Sequence, residues 1–149
     1  MTVTIDNELN VSTTGFLAAP NGEQWVDGYA TELLTLSIAG TTTDTTANLL
    51  PANAIILAVV ARVTTTITTA TDWKLGDPTS ATRFAAVNAT MTAGATSVGL
   101  LHQAGDVATV ALGPTQAAAA KVRVTTTGTP GAGAIRITVF YRLFTAPTS

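Results

Sequence analysis

Apolar and polar residues alternate with a period of two along most of this 149-residue chain, the signature of strands with one buried face. In TELLTLSIA, Leu34, Leu36 and Ile38 share one face, and Thr35 and Ser37 the other. Over 55–69 one face carries Ile55, Leu57, Val59, Ala61, Val63 and Ile67. The opposite face starts apolar with Ile56, Ala58 and Val60 and continues as Arg62, Thr64, Thr66 and Thr68. This predicts a long strand apolar on both faces in its first half and half-exposed in its second. Further strands are expected over 97–101, 107–112, 121–127 and 134–144.

The punctuation between these runs is Gly and Pro. TGTPGAGA predicts a hairpin loop joining the last two strands, and Gly76-Asp77-Pro78 and Gly113-Pro114 mark further turns. TQAAAAKV is compatible with one helical turn; nothing else has a helical period. Six or seven short strands with regular turn signals give an all-β fold, an antiparallel β-sandwich or jelly roll.

Residues 1–28 show no sustained period. They suggest an extended N-terminal arm anchored by Phe16, Trp25 and Tyr29, followed by a β-sandwich domain over 29–149. An ordinary first strand and loop is the other reading. The length suits one sandwich domain.

Composition narrows the function classes. Roughly one residue in five is Thr, and charged residues are only 11%, against about 25% in an average globular protein. Thr has high strand propensity and offers a methyl and a hydroxyl without charge. It therefore suits exposed strand faces and equally faces that meet other proteins. The net charge is −2 and the seven basic residues never form a run, which argues against nucleic acid as a partner. No membrane partner is expected either, since the longest apolar run, AIILAVVA, is far shorter than the ~20 residues of a bilayer span. MTVTIDNELNVS lacks the pattern of a secretory signal, so synthesis in a cytoplasm is expected.

Catalytic chemistry is hard to assemble from this chain. It has no Cys and one His. His102, in GLLHQAGD, has only Asp106 close in sequence, too little for a catalytic constellation. No cofactor or metal site is expected, since the acids lack the short alternate spacing of a calcium loop. Asp77 is expected to shape the turn before Pro78 or to pair with Arg83. Trp73, beside Asp72 and Lys74, is either a core plug or a platform for a sugar ring.

The last strand carries the clearest candidate site. AIRITVFYRLF sends Ile135, Ile137, Val139, Tyr141 and Leu143 to one face, expected to be core. Arg136, Thr138, Phe140, Arg142 and Phe144 take the other. Aromatic residues and Arg are enriched at protein interfaces, so this face is the candidate contact with another protein, a second copy of the chain included. The alternative buries both faces, with the Arg stems lying along apolar surface.

The segments 48–63 (NLLPANAIILAVVARV), 73–85 (WKLGDPTSATRFA) and 135–149 (IRITVFYRLFTAPTS) resemble a family of small β-sandwich structural proteins of tailed bacteriophages, found as capsid decoration (cement) proteins and in tail or fibre components. The resemblance implies a virion protein without enzymatic activity, commonly a homotrimer on the capsid surface, that stabilises the shell by bridging major capsid protein subunits. The alternative within the same family is a tail, baseplate or fibre component whose head binds a receptor or glycan.

Overall fold

The computed structural model describes residues 24–100 and 118–145. They form eight strands: β1 (Gln24–Thr35), β2 (Thr42–Asp44), β3 (Ala54–Thr68), β4 (Asp72–Gly76), β5 (Ala85–Asn88), β6 (Thr96–Leu100), β7 (Arg123–Thr127) and β8 (Ala132–Thr145). The strands make two four-stranded antiparallel sheets, β1-β8-β3-β6 and β2-β7-β4-β5. Four of the pairings join strands whose numbers sum to nine: β1 with β8, β2 with β7, β3 with β6, and β4 with β5. The chain is thus one long antiparallel ribbon, β1–β4 out and β5–β8 back, rolled so that alternate rungs fall into opposite sheets. That connectivity is the jelly roll, one of the double-sheet arrangements expected above.

The core lies between the sheets. Val59, Ala61, Val63, Ile135, Ile137 and Val139 enter it from the first sheet, and Trp73, Leu75, Val122 and Val124 from the second side. The Trp73 ring is wholly buried, and its Nε1–H donates to Thr90 O at 3.0 Å. Each large apolar side chain fully buried here contributes about 1.5–3 kcal/mol.

Five expectations need correction. Residues 24–28, expected in the arm, are the first five residues of β1 and pair with β8 over 141–145. Ile38 does not share the buried face of Leu34 and Leu36; it is 70% exposed, because the chain turns after Leu36 towards the second sheet. The two faces of β3 exchange roles near its start. Ala54 and Ile56 are buried whereas Ile55 is half-buried and Leu57 exposed. A bulge between Ile56 and Ala58 makes Leu57 the extra residue against β8, and such an insertion flips the side-chain phase beyond it. TGTPGAGA does not close a hairpin, since β7 pairs with β2 and β4 while β8 pairs with β1 and β3. It is a corner between sheets, where Gly128 and Gly133 take φ of 87° and 153°, values that favour glycine. In TQAAAAKV the described part, from Ala118 onward, is extended rather than helical, with Ala120 bridged to Leu50. The expected strand over 107–112, the turn at Gly113-Pro114 and His102 lie outside the described residues.

Candidate interface on an outer sheet face

The register of β1, β8 and β3 sets side chains on the solvent side of the first sheet in rows of three. The rows are Asp27, Arg142 and Ile55; then Tyr29, Phe140 and Ala58; then Thr31, Thr138 and Val60; then Leu33, Arg136 and Arg62. Alternation follows from the pleat: β8 presents Ile135, Ile137 and Val139 to the core, so the residues between them must face outward. The middle of this face is apolar. Tyr29 is 68% exposed and Phe140 42%, with Leu33 and Leu57 also exposed, and Ile55, Ala58 and Val60 half-buried.

Tyr29 and Phe140 lie directly opposite each other, ring centroids 6.3 Å apart and tilted by 41°, within the range of favourable aromatic pairs. Beside them the Thr138 hydroxyl donates to Thr31 Oγ1 at 3.1 Å, and the Thr31 hydroxyl to Ile137 O at 2.9 Å. The threonines satisfy one another, which leaves their methyl groups to extend the apolar middle.

Charge is confined to the two ends. At one end Arg142 grips Asp27 through two parallel hydrogen bonds, Nε to Oδ1 at 2.6 Å and Nη2 to Oδ2 at 2.8 Å. Those bonds hold the Asp27 carboxyl below the usual carboxylate range and push the Arg142 guanidinium up. At the other end Arg136 and Arg62 face each other across β8 and β3. Both are exposed, and neither side chain forms a hydrogen bond or ion pair among the described residues. Like charges directly opposite on neighbouring strands are unfavourable.

Of the sequence-derived candidates, Tyr29, Arg136, Phe140 and Arg142 therefore meet on one face. Trp25 and Phe144 are paired in the backbone register at its β1 entry end. Phe16 lies outside the described residues. The sequence reading missed Leu33, Leu57 and Arg62 as parts of the same face. Leu57 was hidden by the bulge, whereas alternation alone placed Arg62 on the solvent side.

The remaining chemical candidates are structural. Asp77 is 3% exposed. Its Oδ1 accepts from the Thr79 N–H at 2.8 Å, the Thr79 hydroxyl at 2.6 Å and the Ser80 N–H at 2.8 Å, while Oδ2 pairs with Arg83. Burial alone would raise this carboxyl, but the bonds from Thr79, Arg83 and Ser80 outweigh it and hold it low. Asp77 thus shapes the turn and pairs with Arg83 as well. Trp73 is a core plug, and its complete burial overturns the sugar-platform reading. Among the described residues no three His, Cys, Asp or Glu side chains converge on a metal-sized site.

The chain matches no family model and no curated protein. Among solved structures it is similar to a chain of the cyanophage Pam1 capsid asymmetric unit, at 24% identity and a TM-score of 0.49, over 90% of this chain and 97% of that one.

Proposed function

We propose that this protein is a non-enzymatic structural component of a tailed-phage virion: a capsid cement protein that forms trimers on the shell surface and bridges major capsid protein subunits. The observation that supports this reading best is the apolar outer face of the first sheet. Tyr29, Leu33, Leu57 and Phe140 are all exposed on it, and exposed apolar surface rimmed by polar groups is one mark of a protein–protein contact. The jelly roll alone does not choose, since that architecture serves capsid and lectin domains alike. The choice of a virion protein comes from the resemblance of segments 48–63, 73–85 and 135–149. The tail or glycan-binding alternative has lost its one aromatic pointer, because Trp73 is buried.

The mechanism is thermodynamic linkage. A protein that binds only the assembled shell stabilises it by RT ln(1 + [L]/Kd), about 2.7 kcal/mol at a hundredfold excess over Kd. A trimer engaging several subunits at once gains further through effective concentration. The test is to add purified protein to expanded shells lacking it and follow occupancy and shell melting. Saturable occupancy with a rise in melting temperature supports cement. Absence of occupancy rejects it.

A further inference from the structure

The two arginines at one end of the apolar face identify what must come to it. The acids among the described residues are committed elsewhere: Asp27 to Arg142, Asp44 to Arg123 and Asp77 to Arg83, while Asp72, on the other sheet, lies 3.8 Å from Lys74 with its Oδ1 buried and not hydrogen-bonded. Glu32 accepts the Thr46 and Ala47 backbone N–H groups at 2.7 and 3.0 Å. Among the described residues Arg62 and Arg136 have no such partner, and the only acid on their face, Asp27, is committed to Arg142 at the far end. Packing this face against the same face of another copy would supply neither arginine with an uncommitted carboxylate. The occupant must bring its own acids along with apolar groups.

The segment before β1 has that chemistry, with three acids. Residues 1–23 hold Asp6, Glu8 and Glu23 and no Lys or Arg, with Val3, Ile5, Leu9 and Phe16 interspersed. The first cation of the whole sequence is Arg62. Glu8 is sixteen residues before Gln24, an extended reach of about 55 Å. The twelve residues of β1 span only about 40 Å. β1 enters the sheet at the Asp27–Arg142 end, opposite the end that carries Arg62 and Arg136.

We propose that residues 1–23 of one copy dock on the outer β1-β8-β3 face of the next, with Asp6 and Glu8 meeting Arg62 and Arg136 and the arm's apolar side chains covering Tyr29 and Phe140. The contact is heterologous, arm to face, and a heterologous contact closes into a ring when its rotation allows. It accounts for a trimer more naturally than for a two-fold dimer. This inference rests on the trimeric cement reading and names the segment that makes the trimer contact.

The absence of Cys permits a direct test on the full-length protein. A nitroxide is attached at Asn7→Cys in chains of natural isotope abundance, and these are assembled with unaltered 15N-labelled chains. The expected result is paramagnetic broadening of the Val60, Arg62, Arg136 and Thr138 amides in the labelled chains. Arg62→Glu with Arg136→Glu abolishes that broadening, and adding Asp6→Lys with Glu8→Lys restores it. A reversal at Pro20-Asn21-Gly22 would lay the arm on its own face. Broadening only when nitroxide and isotope share one chain would reveal that arrangement and overturn the exchange. Broadening confined to other residues overturns it too. Light scattering on the same samples separates the failures: a trimer without broadening at this face sinks the arm contact alone, whereas a monomer sinks the trimer as well.

Discussion

The two sheets have outer faces of opposite character although both are built from Thr-rich strands. The face of β2-β7-β4 carries Thr42, Asp44, Arg123, Thr125, Thr127, Asp72 and Lys74. Its charges are neutralised locally: Arg123 holds Asp44 by bonds of 2.6 and 2.8 Å, and Lys74 lies 3.8 Å from Asp72 and 3.4 Å from the Thr127 hydroxyl. Among the described residues the large exposed apolar side chain of that sheet is Val87, on its edge strand β5. The face of β1-β8-β3 instead exposes two aromatics and two leucines, and its Arg62 and Arg136 meet no carboxylate among the described residues. A face finished in itself has no need of a partner, and one with uncovered aromatics and unanswered charge does. Thr serves both, which is why its abundance alone could not say where the contact lies.

The sharpest way to break this comparison uses two neighbouring residues of β8. Val139 is wholly buried, and an unpaired carboxylate there costs several kcal/mol. Val139→Asp should therefore abolish the cooperative unfolding transition. Phe140 points the other way, so Phe140→Asp should keep the native circular dichroism spectrum and lose oligomerisation. A Phe140→Asp protein that fails to fold would show that the outer face is part of the core.

Asp77 stands apart from both faces, in the turn after β4. Asp77→Ala removes the carboxylate that accepts from the Thr79 and Ser80 N–H groups and pairs with the Arg83 guanidinium. Stability should fall by about 1–3 kcal/mol, measured by urea denaturation, with the oligomeric state retained.

A smaller effect follows from pH. Asp27, Asp44 and Asp77 all have carboxyls held below their ordinary value, by bonds from Arg142, from Arg123 with the charge of Lys121 adding, and from the turn against burial. The native state then binds fewer protons than the unfolded one, so stability rises with pH in the acid range. It should be level from neutrality down to about pH 5 and fall below about pH 4, the unperturbed carboxylate region. An Asp77→Asn variant should show a shallower acid limb in the same titration.

The smallest effect is expected on the polar face. Thr125 Oγ1 is buried without a hydrogen-bond partner, so Thr125→Val removes nothing that is made. It should be neutral or stabilising by less than about 1 kcal/mol and leave assembly unchanged.

How much of this was legible in the sequence depends on strand length and regularity. β8 runs for 14 residues and pairs with β1 without a register break, so alternation alone assigned its core and outer faces. β3 is as long, but its bulge at Leu57 shifted the phase, and a period-2 reading has no signal for an inserted residue. β2, β4 and β5, three to five residues each, are too short to show a period. Their strand character comes from pairing with β7 and with one another. The ion pairs were hidden for another reason: Asp27 and Arg142 lie 115 positions apart, and Asp44 and Arg123 79. Only the rolled ribbon brings them together. Asp77 and Arg83, within one turn, could be read locally.

Sedimentation velocity of the unaltered protein beside Phe140→Asp, at the same micromolar concentration, tests most directly whether the outer β1-β8-β3 face is the contact. A trimer for the first and a folded monomer for the second is the expected result. A monomer in both, or a trimer that survives the substitution, would contradict it.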